Sequence, residues 1–136
     1  MYKKILVPID LGDVAHGEAI LRIAENLADD DARIVLLNVF EEIPAYVAAE
    51  LPSDIGENLE EQSRSQLMKI AASCPKKTDI IVRRGSAASA IVSAAEDLDI
   101  DLIIIASHQP GLADYFLGST ASRVVRHAKC PVLVDR

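Results

Sequence analysis

Four short groups of residues could do chemistry, and three of them close a run of apolar residues. Pro8-Ile9-Asp10 ends the run that begins at Ile5, and Asn38-Val39-Phe40 ends the run that begins at Arg33. Ala106 closes Leu102–Ala106 and leads into Ser107-His108-Gln109-Pro110-Gly111. The fourth group, Gly118-Ser119-Thr120, opens a stretch with helical spacing. A glycine before Ser or Thr at a helix start presents backbone N–H groups with no β-carbon in the way. The helix dipole adds about 0.3–1 kcal/mol per anion contact. The stretch Ala106–Ser119 is therefore suited to receive a phosphate. Micromolar binding needs about 8 kcal/mol, so several N–H groups and burial of an organic base must act together. Taken singly, Ser119 is a helix cap, His108 a loop histidine, and Asp10 a carboxylate bonded to the next turn. Their convergence on one rim is what gives them a joint role.

The elements that must position these groups follow from periodicity. Continuous apolar runs at 5–9, 33–40 and 102–106 read as strands buried on both faces. Pro8 lacks a ladder donor, which a strand tolerates only near its end. A helix is expected over Val14–Leu27, with Ala15, Ala19, Ile20, Ile23, Ala24 and Leu27 apolar, followed by an acidic turn at Asp29-Asp30-Asp31. Residues 41–57, with Pro44, Pro52 and Gly56, read as a long, partly helical loop. A helix over Asn58–Cys74 would turn Leu59, Leu67, Ile70 and Ala71 inward. Thr78–Arg84 is a more polar strand, suited to a sheet edge. Gly85 turns the chain into a helix over Ser86–Leu98, a further helix covers Ser119–Ala128, and Pro131–Val134 is the last strand. Strict alternation of strand and helix predicts a doubly wound five-stranded parallel sheet with helices on both faces. In the expected order 3-2-1-4-5, ligands bind beside the carboxyl ends of the first and fourth strands, where the winding reverses.

The bulk numbers narrow the function. A chain of 136 residues, half of them hydrophobic and 26% charged, is expected to form one domain over 1–136 with a real core. The formal charge of −7 disfavours nucleic acid and anionic membrane surfaces as partners. Cys74 and Cys130 read as reduced, buried thiols. No run is long enough for a signal peptide or a membrane span, so a cytoplasmic protein is expected. Walker, dinucleotide, nucleophile-elbow and zinc-helix motifs are all missing from the sequence. His16, His108 and His127 are too scattered to suggest a metal site, and His127 with Arg126 and Lys129 complements a helix C-terminus. The rim offers no evident catalytic base or arginine finger, so a ligand is expected to be held without fast turnover.

The sequence resembles the universal stress protein family along essentially its whole length. The resemblance is carried by Lys3–Asp10, Leu36-Leu37-Asn38-Val39, the Gly85 turn, Ile104-Ile105-Ala106-Ser107-His108 and the block from Leu117 to Val134. ATP-binding members of that family carry Gly-x2-Gly-x9-Gly-[Ser/Thr]. Here Ala106 and Gln109 stand at the first two glycines, Gly118-Ser119 retains the last pair, and the spacing before Gly118 is one residue shorter. A subgroup with Ala-Ser-His-x-Pro in this loop, also associated with ATP, is closer. The resemblance implies the adenine nucleotide alpha hydrolase-like fold. It places Pro8, Ile9 and Asp10 around adenosine, with Asp10 near the ribose hydroxyls. Val39 would meet the adenine through its backbone, and Ile105 and Ala106 would flank the ribose. His108, Gln109, Gly118, Ser119 and Thr120 would surround the phosphates.

These readings give an adenine-nucleotide-binding regulatory protein, with ATP, ADP or AMP as cofactor and Mg carried only through ATP. Two alternatives are an interaction module of the same fold without nucleotide and a slow ATPase. A homodimer is expected through the apolar edge strand Val132–Val134, because an edge leaves backbone groups unpaired. The resemblance implies the same.

Overall fold

A computed structural model describes residues 1–41, 44–52, 54–107 and 117–136. Its elements in chain order are β1 (Tyr2–Pro8), α1 (Val14–Leu27), β2 (Ala28–Phe40), α2 (Ala45–Ala48), α3 (Ile55–Ala71), β3 (Lys77–Arg84), α4 (Ala87–Asp97), β4 (Leu102–Ala106), α5 (Ser119–His127) and β5 (Val132–Asp135). The five strands form one parallel sheet in the order β3-β2-β1-β4-β5, the order expected from the alternation.

Alternate strand residues point to opposite faces, and each face has its own core. Ile5, Val7, Ile34, Leu36 and Ile104 pack with Ile20, Leu21 and Ala24 of α1 and with Leu67 and Ile70 of α3. Leu6, Val35, Leu37, Ile103 and Ile105 pack on the other side with Ala88, Ile91 and Ala94 of α4 and Val124 of α5. Burial on both faces is why these strands read as unbroken apolar runs.

The crevice opens where β1 and β4 part. Their pairing ends at Leu6 opposite Ile103. Ile9 donates to the Leu37 carbonyl at 2.7 Å, so Val7 and Ile9 aim their backbone at β2. The nitrogen of Pro8 therefore faces the β4 side, beyond the last pair, where no donor is needed.

Several sequence expectations are corrected. The acidic triplet is no free turn, because β2 already begins at Ala28. Tyr2 lies opposite Ala28 and Lys4 opposite Arg33, so five steps along β2 are matched by two along β1. The surplus is taken up as a bulge, the usual way a strand absorbs extra residues. Lys76 secures it, donating to the Asp29 carbonyl at 3.2 Å and pairing with Asp30. The third helix runs three residues earlier than expected. It ends where Ser73 and Cys74 bond back to Ile70 and Ala71, before Pro75. Leu59 is not turned inward but is 44% exposed. In α1 the buried stripe runs through Gly17 and Leu21, while Ala15 is exposed. Cys74 and Cys130 are free but only half-buried, and burial pushes both thiols up. Among the described residues no helix is long and apolar enough to cross a membrane.

Candidate functional site

A cavity of about 240 Å³ sits at the parting of β1 and β4. Its walls come from the carboxyl ends of β1, β2 and β4, the first turns of α1 and α5, and α4. Nine of the eleven residues expected in the site line it: Pro8, Ile9, Asp10, Val39, Ile105, Ala106, Gly118, Ser119 and Thr120. His108 and Gln109 lie outside the described residues, as do Pro110 and Gly111.

The apolar part of the wall is well buried. Ile9, Ile20, Leu37, Ile91 and Ile105 are each no more than 5% exposed, which suits the flat, weakly solvated face of an organic base. Asn38, buried in the apolar run of β2, donates from Nδ2 to the Ile9 carbonyl at 3.0 Å. This bond ties the ends of β1 and β2 and satisfies both polar groups. On the other side of β1, Ile103 donates to the Pro131 carbonyl, so β4 aims that residue at β5. Ala106, odd steps further, aims its N–H and C=O at the gap beside β1.

The polar part is built by turns and helix starts. Asp10 accepts from the Gly12 N–H at 2.8 Å, the expected bond to its own turn, while its carbonyl accepts from the Asp13 N–H at 3.0 Å. Asp13 caps α1 through the His16 N–H at 3.4 Å. The cap of α5 is Gly118, with φ −59° and ψ 156°, and Ser119 is the first helical residue. The reading of Ser119 as a cap is thus replaced: an extended glycine occupies that place, which frees the hydroxyl from the role. The first helical bond of α5 runs from Ser122 to the Gly118 carbonyl at 2.9 Å. The N–H groups of residues 119–121 thus precede any helical acceptor and face the cavity end of the dipole. The arrangement can hold a flat apolar group with an anion attached to it. Among the described residues, no group of three or more His, Cys, Asp or Glu side chains could hold a metal ion.

Nine further lining residues were not assigned to the site from the sequence, among them Asn38, Asp13, Gly17 and His16. Asn38 carried a signal, as the lone amide inside an otherwise apolar strand. Asp13 could have been found as a helix cap. Gly17 and His16 carried none. A Cβ on Gly17 would lie 3.1 Å from Ile9 Cδ1, a closeness only the fold creates. His16 places Nε2 3.0 Å from an Asp135 carboxylate oxygen, 119 positions away.

Comparison with known proteins gives a consistent result. The profile of the Universal stress protein family matches residues 1–136. Universal stress protein G of Salmonella typhimurium is 33% identical over 142 aligned positions that cover 100% of both chains. A solved structure of the hypothetical protein MJ0577, reported as a structure-based assignment of biochemical function, superposes with a TM-score of 0.82. It is 29% identical, over 98% of this chain and 95% of that one. A universal stress protein from Archaeoglobus fulgidus, solved in complex with dAMP, has a TM-score of 0.67 at 21% identity, over 99% and 98% of the two chains.

Proposed function

We propose that this chain, which belongs to the universal stress protein family, binds an adenine nucleotide in the cavity between β1 and β4 and serves a regulatory or stress-response role with little or no turnover. One observation carries the reading. Residues from three strand ends and the start of α5, separated by up to 113 positions (Pro8 to Ala121), enclose a single cavity with an apolar interior and a helix start at its polar end. The base would pack between Ile9, Leu37 and Ile105, with Val39 offering its backbone. Asp10 would meet the ribose hydroxyls, and Gly118, Ser119 and Thr120 the phosphates; His108 and Gln109 are proposed on the same side. Mg would enter only with ATP. That one fold can hold dAMP is said by the Archaeoglobus protein, whose likeness to this chain extends to the fold.

Equilibrium dialysis of the purified protein against AMP and ATP tests this. Binding of at least one at micromolar to submillimolar concentration is the expected result. Binding of neither at millimolar concentration would overturn it. That outcome would favour an interaction module of the same fold, for which the replacement of family glycines by Ala106 and Gln109 is the supporting observation. We also propose that two copies pair along β5, the apolar edge of the sheet.

A further inference from the structure

A second, polar cavity of about 370 Å³ lies between the starts of α4 and α5. Ala87, Ser119 and Thr120 belong to the walls of both cavities, so the two adjoin at the helix start assigned above to the phosphates. Its other walls are Gly85, Ser86 and Ala88 at the start of α4, Glu41 after β2, and Arg123 one turn into α5. Ser86 occupies the cap position of α4 but makes no side-chain cap bond. The first bond of α4 runs from Ala90 to the Ser86 carbonyl, so this helix too opens its leading N–H groups at the cavity end.

Charge singles out Arg123. Among the described residues it is the only lysine or arginine lining either cavity. Arg33, Arg64, Arg83 and Arg84 are each paired with a carboxylate, whereas Arg123, like Arg22 and Arg126 outside the cavities, has no such partner among the described residues. The surroundings are acidic: Asp10 and Asp13 line the first cavity, Glu41 the second, and the chain carries −7 overall. A monophosphate at Ser119 and Thr120 can be met by neutral N–H donors. A di- or triphosphate must place further negative charge outward from that point, beside those carboxylates, and needs a cation there.

We infer that Arg123 selects for the length of the phosphate chain, with the first phosphate at the start of α5 and the outer phosphates in the second cavity against its guanidinium. The inference rests on the nucleotide reading of the first cavity and adds specificity for nucleoside di- and triphosphates over monophosphates. It is tested by calorimetric titration of AMP, ADP and ATP into the wild-type protein and into Arg123→Gln, Arg123→Lys and Arg126→Gln. Arg126 is an exposed arginine on the same helix outside both cavities, so it controls for net charge alone. The expected result is that Arg123→Gln weakens ATP about tenfold or more and AMP by less than about twofold. Arg123→Lys should recover part of the loss, and Arg126→Gln should leave the ATP-to-AMP ratio unchanged. Equal losses in Arg123→Gln and Arg126→Gln, or an unchanged ATP affinity in Arg123→Gln, would overturn the inference while AMP binding still upheld the first reading. Binding of no nucleotide by the wild type would overturn both.

Discussion

Arg33 and Asp79 meet across β2 and β3 in a two-pronged contact, Nε and Nη2 donating to the two carboxylate oxygens at 2.9 and 2.8 Å. The Arg33 hydrogen bond and charge hold the Asp79 carboxyl below its ordinary value of 3.8, against a smaller opposing effect of burial. A carboxylate depressed by folding adds stability above its unfolded pKa, and that stability is lost as pH falls through the folded value. Both side chains are about half exposed, so solvent screens the pair and its contribution is small. Asp79→Asn is therefore expected to lower the unfolding temperature by about 2 °C or less at pH 7. The two proteins should converge as pH falls below about 3.8. Thermal melts across pH 2–7 check this, and a gap that persists undiminished at pH 2 would contradict it. Single residues also show the limits of local reading. Asp10 bonds its own turn as its type suggests, whereas His16 takes its partner from the far end of the chain.

At the scale of elements, α1 packs at Gly17 against the residue that follows β1, where a Cβ would stand 3.1 and 3.2 Å from two carbons of Ile9. Alanine is favoured over glycine in a helix by about 1 kcal/mol. The crowding falls on the side chain of Ile9, which can yield by a few tenths of an ångström. Gly17→Ala is expected to leave stability within about 1 kcal/mol of wild type, because the two effects oppose each other. It should nevertheless weaken AMP binding severalfold, since Ile9 yields into the cavity wall. Urea unfolding and AMP titration on the same sample separate these effects. Equal AMP affinity would show that Ile9 does not shape the site. The elements themselves were largely legible. The helix over 14–27 and the strand over 102–106 match their expected bounds, because a two-core sheet forces unbroken apolar strands and one-faced helices. Legibility failed where tertiary contacts decided the outcome. The acidic triplet reads as a turn by composition and becomes part of β2 because Tyr2 pairs with Ala28 ahead of it. Leu59 reads as core and is exposed because the buried part of α3 is confined to Leu67, Ile70 and Ala71 near its C-terminal end. Eight of the nine expected residues that line the cavity were legible as a rim from strand ends and a helix start, and Ile105 entered through the family resemblance; the second cavity was not legible, because it depends on how α4 and α5 lie against each other.

At the scale of the whole molecule, the parity of the last ladder matters. Ile103 and Ser107 donate to the carbonyls of Pro131 and Asp135, so odd-numbered residues of this segment face β4. Val132 and Val134 consequently aim their N–H and C=O groups away from the sheet. Those are the groups a second copy would bond. The wild-type protein is expected to sediment as a dimer at micromolar concentration. Val134→Pro removes one outward donor without touching the β4 ladder and should sediment as a monomer that still unfolds cooperatively. A wild-type monomer, or a variant that remains fully dimeric, would contradict pairing along β5.

The strand order has a consequence in time as well as in space. β1 is made first but lies in the middle of the sheet, with β2 on one side and β4 on the other. A chain emerging from the ribosome can therefore lay β2 against it and β3 against β2, while its other flank waits for residues 102–106. The His16–Asp135 bond closes later still. Before β4 and α5 are in place the cavity lacks the walls they supply. The candidate cavity is thus completed only when residues 102–121 have joined the sheet and its helices.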